Sequence, residues 1–179
     1  MHEIFISYRQ YGSRGWAAYL HERLRQAFGS ERVFLDHEDL GIGDYQQQLD
    51  EALAQCKAFV LIIGSHWLQA ANPDGQRRLL VADDVHRREI ETALSREGVT
   101  LIPLLVDGAR MPQKDELPDS IRGLARCQAI DLPGGGWRGA SSLTRLFSEI
   151  GRGTGLPCAE PRHSGRPSGP SAPSSWQRC

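Results

Sequence analysis

Apolar positions along the chain fall into two patterns, short unbroken runs and longer stretches with one apolar residue every three or four places. Ile4-Phe5-Ile6, Val33-Phe34-Leu35, Ala58 through Ile63 and Leu101 through Val106 are the runs. The last two show no polar alternation, which predicts central parallel strands buried on both faces. Cys127 through Asp131 predicts a final strand. Trp16, Leu20, Leu24 and Phe28 recur every fourth residue, marking one face of a first helix that Gly29 stops. Tyr45, Leu49, Ala52 and Leu53 mark a second helix. Ile90, Ala93 and Leu94 mark a third, which Asp83 or Asp84 can cap. Leu143, Leu146, Phe147 and Ile150 mark a closing helix. Pro103 has no N–H to give a neighbouring strand, so an edge or bulge is expected there.

Strands alternating with helices predict a parallel sheet covered on both faces. Five strands and about five helices fit an α/β, flavodoxin-like, doubly wound five-stranded sheet. In such a fold the functional loops lie at the carboxyl ends of the strands. Here they begin at Ser7, Asp36, Gly64 and Asp107. Asn72-Pro73-Asp74-Gly75 is turn chemistry inside the long polar segment from Gly64 to Ala82. Residues 107–124 are expected as loop with at most a short helix. The repeating pattern ends near residue 156, so residues 1–156 are expected as one domain. Residues 157–179 hold five Pro, five Ser and two Gly among 23 positions. Such a segment buries too little apolar surface to offset its ordering entropy, and a disordered tail or linker is expected.

Composition narrows the function classes. A net charge of -1 argues against a nucleic-acid binder that works by charge alone. No apolar run is long enough to span a bilayer, and no basic-then-apolar leader opens the chain, so a cytoplasmic protein without membrane contact is expected. The four cysteines, Cys56, Cys127, Cys158 and Cys179, show no paired spacing. Neither a zinc site nor a disulfide framework is expected, and Cys56 and Cys127 are expected as buried thiols. The six histidines lack metal-ligand spacing, so no metal is expected.

Several enzyme motifs fail on the residues. Gly41-Ile42-Gly43-Asp44-Tyr45-Gln46 starts as a dinucleotide fingerprint, but Gln46 replaces the third glycine and the segment follows the second strand. No P-loop and no nucleophile elbow is present. A phosphoacceptor receiver domain needs acidic residues after the first strand, where Ser7-Tyr8-Arg9 stands. Glu89 is more informative. With Ile90, Ala93 and Leu94 setting the buried direction at about 100° per residue, Glu89 falls at the border of that face and Glu91 nearer solvent. A carboxylate so placed either pairs with neighbouring arginines at the surface or, partly desolvated, stabilises a developing positive charge.

Taken in order, the segments resemble Toll/interleukin-1 receptor (TIR) domains of the bacterial type. Phe5-Ile6-Ser7-Tyr8-Arg9 is similar to their opening strand, and Asp36 through Gly43 to their BB loop. Gly64-Ser65-His66-Trp67-Leu68 is similar to the segment after the central strand. Arg88 through Leu94 is similar to the third-helix motif, and Leu101 through Gly108 to the next strand and its exit. The resemblance runs from residue 3 to about 150 and implies the same flavodoxin-like fold. It also implies one of two activities. Catalytic members cleave NAD+ at the nicotinamide–ribose bond as glycohydrolases or cyclases, often in antiphage defence. Other members are non-enzymatic scaffolds, or effectors mimicking host domains, that act through TIR–TIR contacts in signal transduction.

For the catalytic reading the resemblance places the essential carboxylate at Glu89. It puts Tyr8 and Arg9 near adenosine or the phosphates, with a surface role for Arg9 the alternative. Asp36, Leu40 and Gly41 fall at the pocket mouth, and Ser65 near ribose. Trp67 either stacks on nicotinamide or packs the helix. Asp39, Leu40, Gly41 and Gly43 form the assembly loop. NAD+ is then a substrate, with no cofactor, and the partners are further TIR domains or a sensor domain. One departure stands out: Val85 occupies the place, four residues before the glutamate, where many catalytic members carry an aromatic ring.

Overall fold

The computed structural model describes residues 2–36, 44–133 and 136–159. Five parallel strands form one sheet: β1 (Ile4–Tyr8), β2 (Val33–Leu35), β3 (Ala58–Ile63), β4 (Thr100–Leu105) and β5 (Ile130–Asp131). Their spatial order is β2-β1-β3-β4-β5, the doubly wound arrangement expected from the alternating pattern. Four α-helices alternate with them: α1 (Gln10–Phe28), α2 (Asp44–Gln55), α3 (Val85–Ser95) and α4 (Gly136–Thr154). Residues 107–124 carry 3₁₀ turns rather than an α-helix, at Lys114–Glu116 and Asp119–Arg126.

The period of two along the strands divides the core. Ile4, Ile6, Tyr8, Val60 and Ile62 face α1 and α4, packing with Leu20, Leu24, Leu146 and Ile150. Phe5, Phe59, Leu61 and Ile63 face the other way, against Leu49 and Leu53 of α2 and Ile90 and Ala93 of α3. Register sets Phe5 opposite both Phe34 and Phe59, and the three rings stack at 5.2 Å centroid spacings. Phe5 and Phe59 are fully buried, and each stabilises the fold by about 1.5–3 kcal/mol.

Geometry bears on two glycines. Gly29 ends α1 at φ 102°, a backbone region that side chains disfavour. A Cβ on Gly64, at the exit of β3, would lie 2.7 Å from the Ser13 hydroxyl of α1, which would have to turn away for a larger residue to fit.

Pro103 sits where the edge expectation requires. Thr100 donates its N–H to the Lys57 carbonyl just before β3, and Val106 donates to Ile63 at its end, so by alternation the imide of Pro103 faces the β5 side. There β5 pairs only from Leu104 onward. The final strand is shorter than expected, because Cys127 through Ala129 precede the pairing. Residues 157–159, expected to open the tail, still carry contacts: Cys158 packs on the core beside Leu156, and the Ala159 N–H donates to the Ala27 carbonyl at 2.9 Å. Cys56 is buried and Cys127 partly so, and burial raises both thiols above the ordinary cysteine value.

Candidate active site

The carboxyl ends of β1 and β3 meet the first turns of α3, and buried polar side chains collect there. Asp84 starts α3 by accepting from the Arg87 N–H at 3.0 Å, which satisfies one of the helix's free donors. Its carboxylate also receives Arg9 through two nitrogens, at 2.7 and 3.3 Å, and Arg78 Nε at 3.1 Å. Arg9 is only 2% exposed. The surface position held open for Arg9 is therefore not the one it occupies. Its guanidinium is turned inward as a two-pronged clamp on the cap of α3, a geometry that lysine does not reproduce.

Inside this clamp lies a second, uncharged chain of donors. Trp67 Nε1 donates to His86 Nε2 at 2.9 Å. His86 Nδ1 lies 3.0 Å from Ser7 Oγ. Ser7 Oγ in turn donates to Glu89 Oε2 at 2.6 Å. Indole N–H is a donor only, so His86 Nε2 must be bare. The remaining imidazole proton is then on Nδ1 and donates to Ser7, whose own proton goes to Glu89. All three hydrogens point toward the carboxylate. Burial lowers the His86 pKa well below the usual histidine value, and the Arg9 and Arg78 charges add to it. The 3.7 Å approach of His86 to Glu89 is accordingly not an ion pair between charged groups.

Strand alternation decides which expected residues join this group. Ser7 and Arg9 share the parity of Phe5 and reach α3. Tyr8, expected near the substrate, has the opposite parity and lies in the core against α1 and α4, away from Glu89. Trp67 is 3% exposed and sits edge-on to the His86 ring, with centroids 5.8 Å apart, so of its two expected roles it fills the packing one. Ser65 is exposed on the turn after β3, apart from the buried chain. Asp36 is buried at the end of β2, where its N–H donates to the Ile6 carbonyl at 3.0 Å. Asp39, Leu40, Gly41 and Gly43 lie outside the described residues.

Glu89 is more deeply placed than its expected border position, at 1% exposure. The buried stripe of α3 is His86, Glu89, Ile90 and Ala93. This i, i+3, i+4, i+7 set is centred between His86 and Ala93, with Glu89 and Ile90 on its two flanks, whereas Ile90, Ala93 and Leu94 alone turn the direction away from Glu89. Glu89 also borders a hollow of about 30 Å³ between α2 and α3, lined with Leu49, Leu53, Val85 and Arg88. That volume suits a water or two, not a nucleotide.

Ser7, Arg78 and His86 are the site residues the sequence did not assign. Ser7 was legible from strand parity. His86 was legible from helical spacing to Glu89 and Ala93, had polar residues been allowed on the buried face.

A family model for the TIR domain matches residues 4–147. The NAD(+) hydrolase sarm1 of Drosophila melanogaster is 29% identical over 133 residues, which cover 72% of this chain. The matched region spans 9% of that relative's length. Among solved structures, the TIR domains of the activated Roq1 resistosome recognising the effector XopQ superpose with a TM-score of 0.57 at 11% identity, covering 84% of this chain and 99% of that one. No helix among the described residues is long and apolar enough to cross a membrane. On the family match across most of its length, the chain belongs to the TIR domain family.

Proposed function

We propose that this chain cleaves NAD+ at the nicotinamide–ribose bond, with Glu89 as the residue that carries the reaction. The observation behind this reading is the placement of Glu89: a buried carboxylate at the carboxyl edge of the sheet, held by a directed hydrogen bond from Ser7. Similarity to a relative named as an NAD(+) hydrolase supports the same substrate.

The chemistry asks little more of the residue. When the C1′–N bond breaks, its electron pair moves to the pyridinium nitrogen and neutralises it. Positive charge then develops on the ribose. A fixed carboxylate beside that ribose stabilises the charge without having to accept a proton. Water completes the hydrolysis and releases one proton; attack by the adenine of the same molecule would give the cyclic product. Arg9 and Arg78 both bind the Asp84 carboxylate, so two guanidinium groups stand at this end of the sheet, the chemistry that an anionic diphosphate would meet.

The competing reading is a TIR module that assembles without turnover. One observation favours it: the hollow that Glu89 borders between α2 and α3 is about 30 Å³, too small to hold a nucleotide. An antiphage role, self-association through Asp39, Leu40, Gly41 and Gly43, and a sensor partner belong to either reading as expectations.

The deciding experiment incubates concentrated protein with NAD+ and quantifies nicotinamide and the ADP-ribose products by chromatography. Glu89→Gln is the control, since its amide can still accept from Ser7 while the charge is gone. Nicotinamide from the wild type and none from Glu89→Gln is the expected result. Equal turnover by both would remove Glu89 from the reaction. Silence from a folded, assembled wild type would favour the scaffold.

A further inference from the structure

A serine, a histidine and a glutamate within 4 Å of one another invite comparison with a nucleophilic triad, but the order is wrong. In a triad the histidine lies between serine and carboxylate and takes the serine proton. Here Ser7 is in the middle, fully buried, and gives its proton to Glu89. His86 lies at the far side, its other nitrogen occupied by Trp67. The group is not built to attack anything. What it does have is direction.

We propose that His86 is a positioning residue for Glu89: held in its Nδ1–H tautomer by the Trp67 indole, it donates to Ser7 and so aims the Ser7 hydroxyl at Glu89 Oε2. The inference rests on Glu89 being the reactive carboxylate, and adds the device that orients it. A serine hydroxyl alone is a free rotor and an equally good acceptor. With His86 Nδ1–H occupying its lone pair, the favoured direction left for its proton is toward Glu89. The chain crosses three elements, from the turn after β3 through α3 to β1, so the orientation of Glu89 is set by tertiary packing rather than by α3 alone. Hydrogen bonds aligned head to tail also polarise one another, strengthening the last donor against the carboxylate. Small misplacement of a catalytic group can cost about 100-fold in rate, so an orienting residue of this kind has leverage on turnover rather than on binding.

Two measurements test this on the full chain. The first is nitrogen-15 NMR of the His86 ring, in wild type and in Glu89→Gln. The expected result is a protonated Nδ1, a bare Nε2, and an Nδ1 signal that moves when Glu89 loses its charge. A proton on Nε2, or an Nδ1 signal indifferent to Glu89→Gln, overturns the proposal. The second is steady-state kinetics of His86→Leu and His86→Asn. Asparagine places an amide nitrogen close to where Nδ1 stood and can still donate to Ser7. Leucine cannot. His86→Leu is expected to lose roughly 10- to 100-fold in kcat with KM changed less than about threefold, and His86→Asn to recover a large part of it. Equal losses in the two variants, or a loss confined to KM, would also overturn it. A wild type that releases no nicotinamide yet shows the expected NMR signals would sink the NAD+ reading and leave the orientation of Glu89 standing. An active enzyme with its proton on Nε2 would do the reverse.

Discussion

Ser7 Oγ donates to Glu89 Oε2 at 2.6 Å across 82 residues of sequence, joining the end of the first strand to the third helix. Both groups are shut off from solvent. Ser7→Ala therefore leaves two buried groups short of a partner, the His86 N–H and one carboxylate oxygen. Each unsatisfied group costs about 1–3 kcal/mol. At about 2–4 °C per kcal/mol for a chain of this size, a clear fall in Tm is expected. Turnover of NAD+ should fall further than stability does, by about 10-fold or more, because the carboxylate also loses its orientation. Thermal unfolding and nicotinamide release on the same preparation check both parts.

Arg9 and Asp84 predict the opposite balance. Their pair is buried and bidentate, and Asp84 also caps α3. Removing one member of a buried pair costs about 3–5 kcal/mol when the other charge is stranded, and less here because Arg78 and the Arg87 N–H still hold Asp84. Arg9→Ala should thus show itself first in urea denaturation, as a drop in the midpoint. If its folded fraction instead matches wild type and only KM for NAD+ rises, Arg9 is a phosphate ligand and not a clamp.

The fold was legible because its signals are local. Unbroken apolar runs, a four-residue period and a stopping glycine each lie within one window, and they suffice for five strands and their helices. The site was legible in part. Glu89 came from resemblance to a family motif, while helical spacing among apolar residues put it at the border. The error has a physical cause. Polar side chains can share a buried face when they find hydrogen-bond partners there, and His86 near the centre of the stripe extends it to Glu89. For Ser7 and Glu89, and for Arg9 and Asp84, those partners are 82 and 75 residues away. No window along α3 contains them. Tyr8 shows the converse: it belongs to a recognisable motif, but a period of two sends it to the other face of the sheet from Ser7 and Arg9.

Val85 lines the same hollow as Glu89, one turn earlier on α3. The resemblance implies an aromatic ring here in many catalytic TIR domains. If NAD+ enters on this side, Val85→Trp should lower KM severalfold with kcat little changed, by adding a stacking wall. Steady-state kinetics decide it: a KM that is unchanged or raised would place the substrate elsewhere.

His86 makes stability depend on pH in a definite window. Its folded pKa lies well below the usual 6.5, through burial first and then the charges of Arg9 and Arg78. Below pH 6.5 the unfolded chain therefore binds a proton at this site that the folded chain refuses, and the unfolding free energy falls as pH falls. Above 6.5 neither state binds it, and the contribution is complete. Glu3 adds a separate, lower window. Lys57, helped by Arg32, holds Glu3 below 4.5, so its stabilisation is present above 4.5 and lost as pH drops through the folded value. His2 is also lowered, by burial first and then by the chain's amino terminus, and contributes to the upper window. Urea unfolding between pH 7.5 and about 5 should give a rising stability with pH. His86→Asn should flatten most of that slope while leaving the loss below 4.5 in place. A slope that survives His86→Asn unchanged would mean that the ring is protonated in the folded state, which its bond from Trp67 forbids.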